Sequence, residues 1–144
     1  MYLFLMLLLT AAFYASYNVC IKVSSSAMHP VLGMLMLQIG AIVIGIGAFI
    51  YVRVTGVPAI LPQKGVTAGL AAGVFVALAE AASFYVFSKG VPASVGIPVI
   101  IGGSVVISAL LGAFFLKEVL NPLQMGAILL IVSGIVLLTG NKSL

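Results

Sequence analysis

Polar residues are sparse along this chain and fall at regular breaks between long apolar runs. Tyr2 to Ile21 is apolar almost throughout and closes on Lys22 and the serines Ser24, Ser25 and Ser26. Pro30 to Val54 opens with a proline suited to a first helical turn and closes around Arg53. Val66 to Ser88 follows a loop holding Pro58, Pro62 and Lys64. Ala93 to Leu116 lies between Lys89-Gly90-Val91-Pro92 and Lys117-Glu118, and Leu123 to Thr139 lies between Asn121-Pro122 and Gly140-Asn141-Lys142. A helix rising about 1.5 Å per residue needs about 20 apolar residues to cross ~30 Å of hydrocarbon. All five runs approach that length. Barrel strands would be about ten residues long with alternating polarity, so the pattern predicts five spanning helices. Short connections make them an up-down bundle.

Composition agrees. The chain is 64% hydrophobic and 6% charged, against roughly 25% charged residues in a soluble domain. So few charges cannot cover a water-facing surface, and lipid is the expected solvent. The expectation is an all-α integral membrane protein of the cell membrane, a single transmembrane domain over residues 1–144. The opening run has no charged n-region and stays apolar to Ile21, so it reads as a retained helix rather than a cleaved signal.

Charge excludes several classes. The cations Lys22, Arg53, Lys64, Lys89, Lys117 and Lys142 are scattered singly. A nucleic-acid surface needs them clustered; single cations at the ends of apolar runs are anchors or topology signals. With one His, one Cys (Cys20) and no Asp, no metal set, catalytic triad or acid/base pair can be assembled, and no phosphate-binding glycine motif follows a strand. No enzyme activity, cofactor or metal is expected.

Glu80 is the sharpest chemical signal. It stands eight residues from Ser88, about 12 Å inside the third run, too deep for its side chain to reach water along the helix. A carboxylate there costs several kcal/mol unless it is protonated, paired or facing a hydrated cavity. That suits proton exchange or capture of a cation; the plainer reading is a protonated group bonding a neighbouring helix. The first run carries Tyr14, Tyr17 and Asn18, of which Tyr14 and Asn18 are four apart and share a helix face. They either line a cavity or form an interfacial belt, and Gln38 poses the same alternative. Ser104 and Ser108 line a cavity or back-bond to their own helix. Pro98, with Gly102 and Gly103, marks a kink that either serves packing or breaks the helix beside a cavity. Glu118, at a helix end beside Lys117, reads as a loop anchor. The small residues Gly69, Gly73, Gly112, Gly126 and Gly134 mark close helix packing, within the chain or between subunits.

The stretch Phe84 to Pro98 resembles the junction of the third and fourth helices in EamA-type members of the drug/metabolite transporter superfamily. The resemblance continues through Ala109-Leu110-Leu111-Gly112 and is clearest in Leu116 to Gly126, with Gly134 to Leu138 closing. Ala15 to Lys22 resembles the end of that family's first helix. Gln38 stands about where many members carry Arg, and Ser104 where many carry a second proline. The resemblance implies one five-helix repeat of an inverted-repeat architecture whose typical members hold two. It implies a secondary transporter of a small metabolite or an organic cation, working by alternating access as a homodimer; in such a cycle Glu80, by its depth, would bind the proton or a cationic group. Rival readings are a non-transporting small membrane subunit or assembly module, and a flippase for a lipid-linked head group.

Orientation can be counted. One face would hold Arg53, Lys64 and Lys117, the other Lys22, Lys89 and Lys142. The tally is even, so the positive-inside rule has nothing to act on. A dual-topology, antiparallel homodimer is the expectation, with membrane lipids and a small-molecule substrate as the other partners.

Overall fold

A computed structural model describes residues 1–58 and 60–140. Five helices follow one another: α1 (Tyr2–Ala27), α2 (Pro30–Val54), α3 (Gln63–Ser88), α4 (Ala93–Phe115) and α5 (Pro122–Gly140). Each is long and apolar enough to cross a membrane. The protein is an all-helical, multi-pass membrane protein, with no strand among the described residues.

The helices begin and end for local reasons. α1 runs past Ile21 to Ala27, because the serines that read as a break bond their own helix. Ser25 Oγ donates to the Lys22 carbonyl at 2.9 Å and Ser26 Oγ to the Val23 carbonyl at 2.7 Å. His29 caps α2: its Nδ1 accepts from the Val31 N–H at 3.3 Å, with Pro30 in the first turn. α3 starts behind Pro62. α4 runs through Pro98 without interruption. After α4 the chain turns at Lys117, whose φ of 56° is left-handed.

α5 opens on a reciprocal cap. The Asn121 N–H donates to Gln124 Oε1 and the Gln124 N–H to Asn121 Oδ1, both at 2.8 Å. Two donors that the first turn leaves without partners are thereby satisfied. Asn121→Ala is expected to cost about 1 kcal/mol. Hydrogen exchange at the Gln124 and Met125 amides checks this: both should exchange faster in the variant, and unchanged rates would count against the cap.

The described chain forms two compact units, Met1–Lys89 and Gly90–Leu144. In the first, α1, α2 and α3 all pack on one another. Its tight packing is confined to one end. Ile21 of α1 and Phe84 and Phe87 of α3 are nearly inaccessible, and Gly33 of α2 is buried with them. The Phe84 ring seats directly against Gly33, since a methyl carbon placed there would lie 2.7 Å from Phe84 Cδ1. Lys22 ties the same end together, its Nζ donating to the Phe87 carbonyl at 3.3 Å. Toward the other end, residues 2–16 of α1, 39–51 of α2 and 63–76 of α3 are exposed.

In the second unit α4 packs on α5. Gly102 makes the close approach: a methyl carbon there would lie 3.2 Å from both Ile131 Cγ2 and Ile135 Cδ1. Gly112 sits under the Glu118 side chain, 2.9 Å from its Oε2 by the same measure. A methyl carbon at Gly69, Gly73, Gly103, Gly126 or Gly134 meets nothing within 4 Å among the described residues.

Candidate functional site: a carboxylate in an aromatic cavity

Glu80 lies just beyond the tightly packed end of the first unit. It is 5% exposed, and its Oε2 has no hydrogen-bond partner among the described residues. Beside it is a cavity of about 300 Å³, walled by Phe13, Tyr14 and Tyr17 of α1, Leu37 of α2, and Val76 and Glu80 of α3. Helical periodicity explains two of the walls. Phe13 and Tyr17 are four apart on α1, as are Val76 and Glu80 on α3, so each pair presents one stripe to the cavity. The Tyr14 and Tyr17 rings meet edge to face, 5.9 Å apart at 88°, which holds two phenol rings at fixed mutual orientation.

The wall chemistry is narrow. Phe13, Leu37 and Val76 are apolar, the tyrosines combine ring faces with phenol hydroxyls, and Glu80 is the one carboxyl group in the wall. No lysine or arginine is among the wall residues. A carboxylate in such a place is stable when it holds a proton or faces a cation, and aromatic rings attract cations.

The other residues singled out from sequence fall as follows. Asn18 is 3% exposed, and its Nδ2 donates to the Tyr14 carbonyl one turn earlier at 2.7 Å. That bond uses one of its amide hydrogens within α1. Gln38 is half-buried, next to the wall residue Leu37. Ser104 and Ser108 belong to the second unit and are exposed; Ser104 Oγ donates to the Ile101 carbonyl at 2.8 Å. Phe13, Leu37 and Val76 were not among the residues expected. The four-residue spacing from Tyr17 and Glu80 was the available signal for two of them. For Leu37 there was none, since its place depends on how α2 is rotated against its neighbours.

The EamA-like transporter family model matches residues 1–140, nearly the whole chain. The chain belongs to the EamA-like transporter family. Neither the curated proteins nor the solved structures yield a match. Family membership makes this EamA-like protein a multi-pass membrane protein of drug/metabolite transporter type. The EamA-like match takes in all five helices, including every wall of the cavity. Among the described residues no three His, Cys, Asp or Glu side chains gather as a metal set.

Proposed function

We propose that this EamA-like chain is a secondary transporter of a small metabolite or organic cation, and that Glu80 is the group that binds the proton or the substrate's positive charge. The observation that carries this reading is the Glu80 Oε2 atom, buried and without a partner among the described residues, beside a cavity of about 300 Å³. A side chain serving only to pack α3 would be apolar at this depth, or bonded to its neighbours. The working cycle is alternating access by a homodimer. Support comes from the single five-helix repeat and from the long exposed stretches of α1, α2 and α3, which leave room for a second copy.

The reading is tested by screening small solutes for thermal stabilisation of the purified protein, then measuring pH-gradient-driven flux of the hits in proteoliposomes. Saturable flux that collapses with the gradient supports it. Hits that bind but never cross the membrane would make the chain a non-transporting module.

The antiparallel arrangement has its own test. Lys142, part of the charge tally, lies outside the described residues, so the reporter belongs in the exposed loop after α2. A single cysteine at Val57, in a Cys20→Ser background, is expected to label equally from both sides of intact and inverted membranes. Labelling from one side alone would exclude dual topology.

A further inference from the structure

A second concavity lies at the tightly packed end of the first unit. This groove of about 430 Å³ is lined by His29, Pro30, Val31 and Met34 of the α2 entry and by Ala81, Tyr85, Ser88 and Lys89 of the α3 exit. It shares no residue with the Glu80 cavity, and the transport reading makes no use of it. Its residues sort by depth. Met34 and Ala81 lie further along their helices, toward the hydrocarbon, while His29 and Lys89 stand at the helix ends, at headgroup level.

The polar end is built to donate. Lys89 Nζ sits 5.1 Å from the centre of the Tyr85 ring, a cation–π contact that holds the ammonium near the groove. His29 Nδ1 accepts from the Val31 N–H, which leaves the ring proton of neutral His29 on Nε2, as a donor. The Ser88 hydroxyl is already committed to the Tyr85 carbonyl at 2.7 Å. The first-turn amides of α2 are committed as well: Leu32 and Gly33 N–H bond the His29 carbonyl at 2.9 and 3.1 Å. Recognition therefore falls to side chains, Lys89 above all. Among the described residues no acidic side chain lines the groove.

We infer that this groove is a binding site for one anionic phospholipid, with its phosphate against Lys89 and His29 and the start of an acyl chain along Val31, Met34 and Ala81. Two features select this occupant over a free anion. The groove is continuous from headgroup depth into apolar side chains, which an inorganic anion could not use. Its charged group also stands at the lipid surface, where an anionic headgroup is the concentrated partner.

The experiment is native mass spectrometry of the protein released from micelles holding equal phosphatidylglycerol and phosphatidylcholine. The wild type should retain one phosphatidylglycerol per chain in clear preference. Lys89→Gln should weaken that preference about fivefold, the effect of one lysine at a membrane surface, and Lys89→Arg should keep it. His29→Asn retains a good N-cap and removes the imidazole donor; it should weaken the preference to a lesser degree and guards against a folding defect in the lysine variant. Lys64→Gln, outside the groove, should change nothing. Equal retention of phosphatidylcholine, or an undiminished preference in Lys89→Gln, would overturn the assignment. So would displacement of the lipid by millimolar inorganic phosphate, which would mark a site for free anions.

Discussion

Glu80→Gln is expected to bring pH-gradient-driven flux down to the level of protein-free liposomes while the protein still folds. The two halves of that expectation have separate causes. Glutamine nearly matches glutamate in shape but cannot exchange a proton or carry a charge, so any step that needs either is lost. Stability should hold within about 1 kcal/mol, because Oε2 has no hydrogen bond to lose among the described residues. The measurement is paired: flux of a solute that stabilises the wild type, and thermal unfolding of the same preparation in detergent. Normal pH-dependent flux in the variant would end the proton role. A variant that transports nothing because it no longer accumulates or unfolds early would instead assign Glu80 to structure. Glu80→Asp helps separate these outcomes: it keeps the charge but shortens the reach, so partial flux is expected.

The second large effect concerns Gly33. Gly33→Ala should lower stability by about 1–3 kcal/mol, the usual cost of forcing extra volume into a filled site. The added carbon would lie 2.7 Å from Phe84 Cδ1, and Phe84 is only 2% exposed, so the ring has little room to retreat. Gly40→Ala is the control. A carbon there meets nothing within 4 Å among the described residues, and removing a glycine from a helix interior should be neutral or stabilising by about 0.5–1 kcal/mol. Phe84→Leu in the Gly33→Ala background should recover much of the loss, a non-additivity expected only of residues in contact. Equal destabilisation at Gly33 and Gly40 would show that helix propensity, and not the Phe84 contact, sets the cost.

The spans were readable because hydrocarbon thickness fixes helix length and because charged residues punctuate the apolar runs. The end of α1 was not: Ser24, Ser25 and Ser26 look like a break, yet the Ser25 and Ser26 hydroxyls bond carbonyls of the same helix. The depth of Glu80 could be counted along the chain. Its surroundings could not, because the approach of Leu37 depends on the rotation of α2, which local sequence does not encode. Glycines show the same limit. Gly33 and Gly102 make the close approaches within their units, while Gly69 and Gly73, a more conspicuous pair in sequence, meet open space among the described residues. A small residue permits contact; whether contact follows depends on what stands opposite.

The division of the chain into units bears on its synthesis. Every wall of the Glu80 cavity and every residue of the Lys89 groove precedes Gly90, within a unit whose three helices pack on one another. Translation adds residues one at a time and membrane segments leave the ribosome in order. The residues that form both concavities therefore leave the ribosome before those of α4 and α5. Insertion thus meets the costly mid-membrane carboxyl group after the three aromatic residues that flank it, and the last two helices follow with the Gly102 contact between them.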